Sequence, residues 1–341
     1  MLNILVTGAG GGVGQGIIKS LKMIKDIPMN IIAADMSELA AGNFFADKAV
    51  LLPSSISDEY SPELIQVFKK NKVDFYFPGT DIELKYCSEK KQLFKDQYGV
   101  NTVVSSLGTV EIADDKFKTA YFLKENNFSF PETIYANEAD PKKIKFPIIL
   151  KPAKGYRSIG VFKIENEEEL SHHDLKKKNL ILQELIGTEE EEYTCTIVKA
   201  NGKLSPVLAL KRILRSGDTY RATPVQSKII ESYIHSIAER LEIDGGCNFQ
   251  LRLDESGNPK VFEINSRFSG TTPFCAQLGF NPVEYYLKTS LGESYTPQID
   301  YNSQILRYWS EIVVEKNSVK KLKQDKLITK PNFKYFDISK T

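Results

Sequence analysis

Residues 261–270, VFEINSRFSG, set a carboxylate (Glu263), a carboxamide (Asn265) and a guanidinium (Arg267) at alternate positions. On a β-strand these share one face with Val261, while Phe262, Ile264 and Phe268 fall on or near the other. The preceding segment NFQLRL, folded back as an antiparallel partner, brings Gln250 beside Glu263. A hard cation takes oxygen ligands from a few carboxylates or amides and completes its shell with water and substrate phosphates. Gln250, Glu263 and Asn265, with Arg267 further along, therefore suit a magnesium–triphosphate site. A polar outer face on a hairpin is the plainer alternative, but apolar residues bracket these polar ones closely.

Two further stretches carry charge toward the same chemistry. Lys151 ends the apolar run IILK and enters the loop KPAKGYRSIG, where Lys154 and Arg157 add charge and glycines let backbone N–H groups approach an anion. The Walker sequence GxxxxGK[ST] is absent, and an ordinary hairpin loop with solvated basic residues is the alternative. In NLILQELI, Gln183 and Glu184 end an apolar segment whose backbone could meet an adenine edge, with Glu184 accepting from the amino group. Glu191 and Glu192 could hold ribose hydroxyls, while Glu189 and Glu190 read as solvated. Lys211, Arg212 and Arg221 could meet a substrate carboxylate or phosphate, or be surface charge.

The N-terminal turn TGAGGGVG, residues 7–14, invites a dinucleotide reading. The strict GxGxxG pattern fails at Val13 or Gln15, but TGxxGxxG fits through Gly8, Gly11 and Gly14. Asp35 ends the next strand, where a ribose-binding acid could sit. The one YxxxK, Tyr86 and Lys90, comes too early to serve a short-chain dehydrogenase. Glycines that only permit a tight strand-to-helix turn are the alternative; the helix N-terminus could also hold an anion or small substrate. Thr80, Asp81 and Glu83 fall at the same sheet edge, as a helix N-cap, a substrate contact or both.

These residues need elements to position them. The chain opens with a β-α-β-α-β rhythm (LNILVTG, GQGIIKSLKMI, NIIAAD, SPELIQVFKKN, VDFYFPGT), which predicts a parallel, doubly wound sheet. EIADDKFKTAYFLKENNF then reads as a helix, and FPIILKPAKGYRSIGVFKI as a hairpin. EEYTCTIVKANG and KLSPVLALKRIL form an antiparallel pair around Asn201 and Gly202. SKIIESYIHSIAERL is an amphipathic helix. GCNFQLRLDESGNPKVFEINSRF is a second hairpin, turned at residues 255–259. The lysine-rich end reads as an edge element or loosely held tail.

With 341 residues, 41% hydrophobic and 26% charged, the chain has the composition of a globular protein of two or three domains. A net charge of +1 gives no reason to expect nucleic acid or an acidic membrane as partner. No apolar run reaches membrane-spanning length and no secretory signal is visible. The four cysteines are scattered and fit free thiols in a reducing cytoplasm. His172 and His173 are adjacent and point apart on a helix, which argues against a histidine metal site.

The order DDKFKT, IILKPAKGYRSIG, QELIG with EEY, NFQLRL and FEINSRFSG resembles the ATP-grasp enzymes. Within them the chain is similar to the synthetase domains of the carbamoyl-phosphate synthase large subunit and to PylC-type amino acid ligases. The resemblance implies an α/β and α+β architecture: a Rossmann-like pre-ATP-grasp parallel sheet at 1–110, then a two-subdomain ATP-grasp fold. Its small lid subdomain would occupy 111–185 and its large subdomain, with the metal site, 186–310; residues 311–341 would be the edge element or tail. It implies that Lys116 and Lys151 contact ATP phosphates under a loop containing Ser158 and Gly160. Glu184 and the backbone near Ile186 would hold adenine, and Glu192, or else Glu191, the ribose. Gln250, Glu263 and Asn265 would ligate Mg²⁺ (or Mn²⁺), and Arg267 would stabilise the transferring phosphoryl group. Gly11, Asp81 and Arg212 are candidate substrate contacts. The implied reaction joins a small-molecule carboxylate to an amine or similar nucleophile through an acyl phosphate, in the cytoplasm, with a homodimer compatible. The alternatives are an NAD(P)-dependent oxidoreductase or epimerase using the glycine turn, a non-catalytic nucleotide-binding protein, and a simple kinase.

Overall fold

The computed structural model describes residues 1–140, 143–155, 159–308 and 310–335. The N-terminal rhythm forms the predicted parallel sheet from β1 (Leu2–Val6), β2 (Met29–Asp35), β3 (Lys48–Leu51), β4 (Phe75–Phe77) and β5 (Asn101–Thr102), in the order β3-β2-β1-β4-β5. Its strands are apolar on both faces, because helices cover both sides. Ile4, Val6, Ile17, Ile18 and Leu21 pack on one side; Leu5, Ile32, Tyr76, Leu64 and Phe68 pack on the other.

The segment read as one helix before the first hairpin is two, Leu107–Asp114 and Lys116–Glu125. The break is at Asp115, which is extended and turns its carboxylate to the amides of Phe117 (3.0 Å) and Lys118 (3.2 Å). An aspartate at such a point caps a new helix more effectively than it continues an old one. The break puts Lys116 on the first turn of the second helix.

A small antiparallel sheet follows: β6 (Thr133–Tyr135), β7 (Ile148–Pro152), β8 (Phe162–Ile164) and β9 (Leu180–Glu184), ordered β6-β9-β7-β8. It has its own core of Ile148, Leu150, Ile164, Leu170 and Leu182.

The larger antiparallel sheet contains β10 (Glu192–Ala200), β11 (Lys203–Leu204), β12 (Leu208–Arg215), β13 (Asp218–Val225), β14 (Gly245–Leu253), β15 (Pro259–Asn265) and β16 (Ile305–Leu306). Asn201 and Gly202 make the expected turn, both at positive φ. Helix Lys228–Arg240 covers one face, through Ile230, Ile234 and Ile237. On the other, Leu208, Leu210, Phe274 and Tyr286 merge with Ile17, Ile18 and Phe77 in one core, so the parallel and larger sheets are joined by continuous packing. At the C-terminal end β17 (Ile312–Val314) pairs with β19 (Phe333–Tyr335). Between them β18 (Leu327–Thr329) runs antiparallel to β3 and extends the edge of the first sheet.

Candidate active site

The two strands that carry the candidate ligands pair as expected in register, with Gln250 opposite Glu263 and Asn248 opposite Asn265. Alternation along β15 fails at one point. Gln250 pairs with Glu263 but Leu251 pairs with Val261, so Phe262 is the extra residue of a bulge. Val261, expected on the polar face, is instead in the core with Ile264. Phe262 and Glu263 both line a cavity of about 620 Å³ between the small and larger sheets. The bulge thus gives the cavity an aromatic floor beside its carboxylate.

Lys151 reaches the cavity from β7. It is buried, donates to Gln183 Oε1 at 2.7 Å and stands 5.3 Å over the Phe262 ring. Burial pushes its pKa down to about 8, with Lys116 adding to the fall and Glu263 opposing it. Lys116 donates to Gly155 O at 3.0 Å and lies 3.9 Å from Glu263 Oε2. Glu184 and Ile186 line the same cavity. The Glu184 carboxylate accepts from the Glu132 amide at 3.1 Å and from Lys260 at 3.4 Å, which fixes its orientation.

The structure places Glu192 and Arg212 in one buried ion-pair network. The Glu192 carboxylate is buried between two guanidiniums, Arg212 at 2.6 Å and Arg252 at 2.8 Å. Burial opposes its ionisation, but the two arginines outweigh that and hold its pKa below the usual carboxylate range. Arg212 also donates to Gln250 Oε1 at 2.7 Å. Arg252 was not foreseen; on a hairpin strand it reads as surface charge, and only strand pairing places it across from Glu192. Glu191 is taken up by Lys211 and by Tyr193 Oη, the latter at 2.6 Å. Ser158 and Arg157 lie outside the described residues.

Beyond the cavity a polar chain runs from Glu263 to the first sheet. Asn265 Nδ2 donates to Glu263 Oε1 at 3.1 Å, and Arg267 donates to Asn265 Oδ1 at 3.3 Å. Arg267 then forks onto both Asp81 oxygens, at 2.5 and 2.9 Å. Asp81 opens helix Asp81–Tyr98, whose Thr80 and Glu83 form the anticipated capping box. Gly11 lies apart from the cavity, in the glycine turn, where its amide donates to Gly8 O at 2.9 Å. Asp35, weighed above as a ribose acid, accepts from the Gly10 amide at 2.7 Å and so closes the turn itself.

The donor set fits a hard cation: one carboxylate with two carboxamides on adjacent strand positions, facing lysines suited to phosphates. Among the described residues no three His, Cys, Asp or Glu side chains converge on a metal-sized site. The cysteines are buried, and burial pushes their pKa values up, Cys275 to about 12; they are not nucleophiles. No helix of the described residues is long and apolar enough to cross a membrane.

Comparison with known proteins agrees with this geometry. Residues 4–103 match the family model "PylC-like, N-terminal domain", and residues 176–311 match "ATP-grasp in the biosynthetic pathway with Ter operon". The arginine-specific carbamoyl phosphate synthase large chain of Neurospora crassa is 27% identical over 323 residues, covering 85% of this chain and 27% of that protein. The carbamoyl phosphate synthase large chain of Clostridium botulinum is 26% identical over 324 residues, covering 85% and 29%. The chain thus spans less than a third of the length of these curated relatives. Among solved structures, N5-carboxyaminoimidazole synthetase from Staphylococcus aureus complexed with ADP superposes with a TM-score of 0.70 at 15% identity, covering 95% of this chain and 85% of that one. The biotin carboxylase domain dimer of Hydrogenobacter thermophilus 2-oxoglutarate carboxylase, in complex with MgADP, ADP and bicarbonate, gives 0.67 at 16%, covering 89% and 73%. L-amino acid ligase from Bacillus licheniformis gives 0.63 at 16%, covering 85% and 73%. These structures share the fold, and the two family matches follow one another along the chain in the order of the two sheets, a PylC-like N-terminal domain followed by an ATP-grasp domain.

Proposed function

We propose that the chain activates the carboxylate of a small molecule with ATP and joins it to an amine or similar nucleophile. The observation that carries this reading is the unbroken polar line Lys116–Glu263–Asn265–Arg267–Asp81, which starts in the cavity beside buried Lys151 and leaves it at Glu263. A carboxylate oxygen attacks the γ-phosphorus of ATP, the bond to the bridging oxygen breaks, and ADP leaves. The nucleophile then adds to the acyl carbon of the resulting acyl phosphate, phosphate departs, and the nucleophile's proton passes to solvent.

In this reading Lys116 and Lys151 hold phosphates, Glu184 and the Ile186 backbone meet adenine, and Glu192, kept anionic by two arginines, receives ribose hydroxyls. Ser158 keeps the loop role that the resemblance implies. Gln250, Glu263 and Asn265 hold Mg²⁺ or Mn²⁺, which when bound neutralises phosphate charge. Arg267, oriented by Asp81, presents its fork to the transferring phosphoryl group, and the remaining catalysis is positioning. Residues 111–185 act as a lid over the nucleotide, between a Rossmann-like domain at 1–110 and a large subdomain at 186–310, with 311–341 as an edge element. Gly11, whose amide is used within the turn, and Asp81, paired with Arg267, flank the carboxylate substrate without binding its charge; Arg212 serves the site through Glu192 and Gln250, and the enzyme works in the cytoplasm, with a homodimer as its assembly.

The test is ADP release over a panel of carboxylates, each with and without amines, in the presence of Mg²⁺. Release that needs both partners supports the ligase. Release with the carboxylate alone, giving a stable phosphorylated product, replaces it with a kinase.

A further inference from the structure

Beside the loop that follows Arg267, two cations stand without an ion pair to any carboxylate among the described residues. Arg307 follows β16. Its amide donates to Tyr220 O at 2.9 Å, its guanidinium donates to Gly270 O at 2.7 Å, and it lies 4.7 Å over the Phe274 ring. Arg267 donates to Phe268 O at 3.0 Å. The two guanidiniums are therefore pinned to carbonyls of one short loop, two residues and roughly 7 Å of chain apart.

Helix Gly12–Met23 faces that loop at close range: a Cβ on Gly16 would lie 3.1 Å from Pro273 and 3.4 Å from Ser269 O. Lys19 stands one turn further along the same helix face. Among the described residues no hydrogen bond or ion pair engages its ammonium. Packing of protein around Lys19, and then the charge of Arg307, lowers its pKa; burial lowers that of Arg307, with Asp218 opposing through space. Two like charges held together resist ionisation, and an anion between them removes the conflict.

We propose that Lys19 and Arg307 form an anion subsite for a second acidic group, carboxylate or phosphate, on the molecule activated at Arg267. The inference rests on the ligase reading and deepens it: the substrate is an acid with two anionic groups. One is presented to ATP and the other is anchored across the interface between the parallel and larger sheets.

The test uses the full chain with MgADP present. Sodium sulfate or sodium malonate is titrated against sodium chloride at equal ionic strength while the melting temperature is followed. A saturable rise with at least one divalent anion is expected, and Lys19→Gln and Arg307→Gln should each weaken the midpoint at least about tenfold. Stronger binding of sulfate identifies a phosphate group, and stronger binding of malonate a carboxylate. Lys19→Gln changes a solvent-accessible residue and keeps the test valid should Arg307→Gln not fold. A response that does not saturate, or that is the same in Lys19→Gln, overturns the subsite. Failure of MgADP to raise the melting temperature overturns the ligase reading separately, because the anion titration reads Lys19 and Arg307 alone.

Discussion

Two regions of this chain advertise nucleotide chemistry, the glycine turn at residues 7–14 and the end of β15, and they differ in where their polar groups point. The glycine turn is closed on itself. Gly8 adopts φ +59, and a Cβ on Gly14 would lie 2.3 Å from Gly8 O, so these glycines serve a tight strand-to-helix turn. Asp35 takes the Gly10 amide. Beneath the turn, buried Glu83 accepts from Thr7, Tyr60, Tyr76 and the amides of Gly79 and Thr80, all within 2.9 Å. At the end of β15, in contrast, charged groups face a cavity, and several are held by neighbours in an orientation rather than consumed by them. Polar groups that satisfy one another internally build a scaffold, whereas those left facing open volume are available for a ligand.

The sharpest way to break this contrast is Glu263→Gln. It removes the only carboxylate among the three proposed ligands and should lower turnover on the order of 10²–10³-fold, with little change in melting temperature. Near-normal ADP release at limiting Mg²⁺ would make β15 as structural as the glycine turn. Arg267→Lys should bind MgATP nearly as well and react poorly, because an ammonium cannot reproduce the planar fork; Asn265→Ala should be milder, since water can replace a neutral ligand.

Lys151 provides a pH signature. Its folded pKa of about 8 lies below the ordinary 10.5, so between those values the unfolded chain carries the extra proton. This group therefore makes stability rise with pH across that window. The ammonium that should meet ATP phosphates is lost over the same range, so MgATP affinity measured calorimetrically should fall above pH 8 by up to about tenfold per pH unit. Lys151→Arg should flatten that profile.

Glu83→Gln should act on the scaffold alone. It leaves buried donors competing for fewer acceptor sites, at a cost of about 1–3 kcal/mol seen in denaturant unfolding, while MgATP affinity stays unchanged. Loss of MgATP binding without loss of stability would mean the turn region belongs to the nucleotide site. The smallest effect expected is none: NADPH should leave the melting temperature unmoved, whereas MgATP at ~100-fold saturation should add ~2.7 kcal/mol.

The sequence by itself determined the periodic elements and the local turns. Alternating strands and helices demanded a parallel sheet, Asn201 and Gly202 demanded a hairpin, and the turn between β14 and β15 set their register as far as Leu251 and Val261. Those features depend on neighbours within a few residues, and local sterics and hydrophobic period decide them. Tertiary structure alone decided the rest. The bulge at Phe262 depends on how β14 and β15 pair, and the break at Asp115 on a cap outcompeting helix continuation. Arg252 reaches Glu192 only because two distant strands lie side by side, and Asp81 reaches Arg267 across 186 residues of chain. A side chain's charge is written in the sequence, but whether it ends as a buried counter-ion, a cap or a ligand-facing group is set by what the fold packs against it, because burial multiplies every electrostatic interaction it encloses.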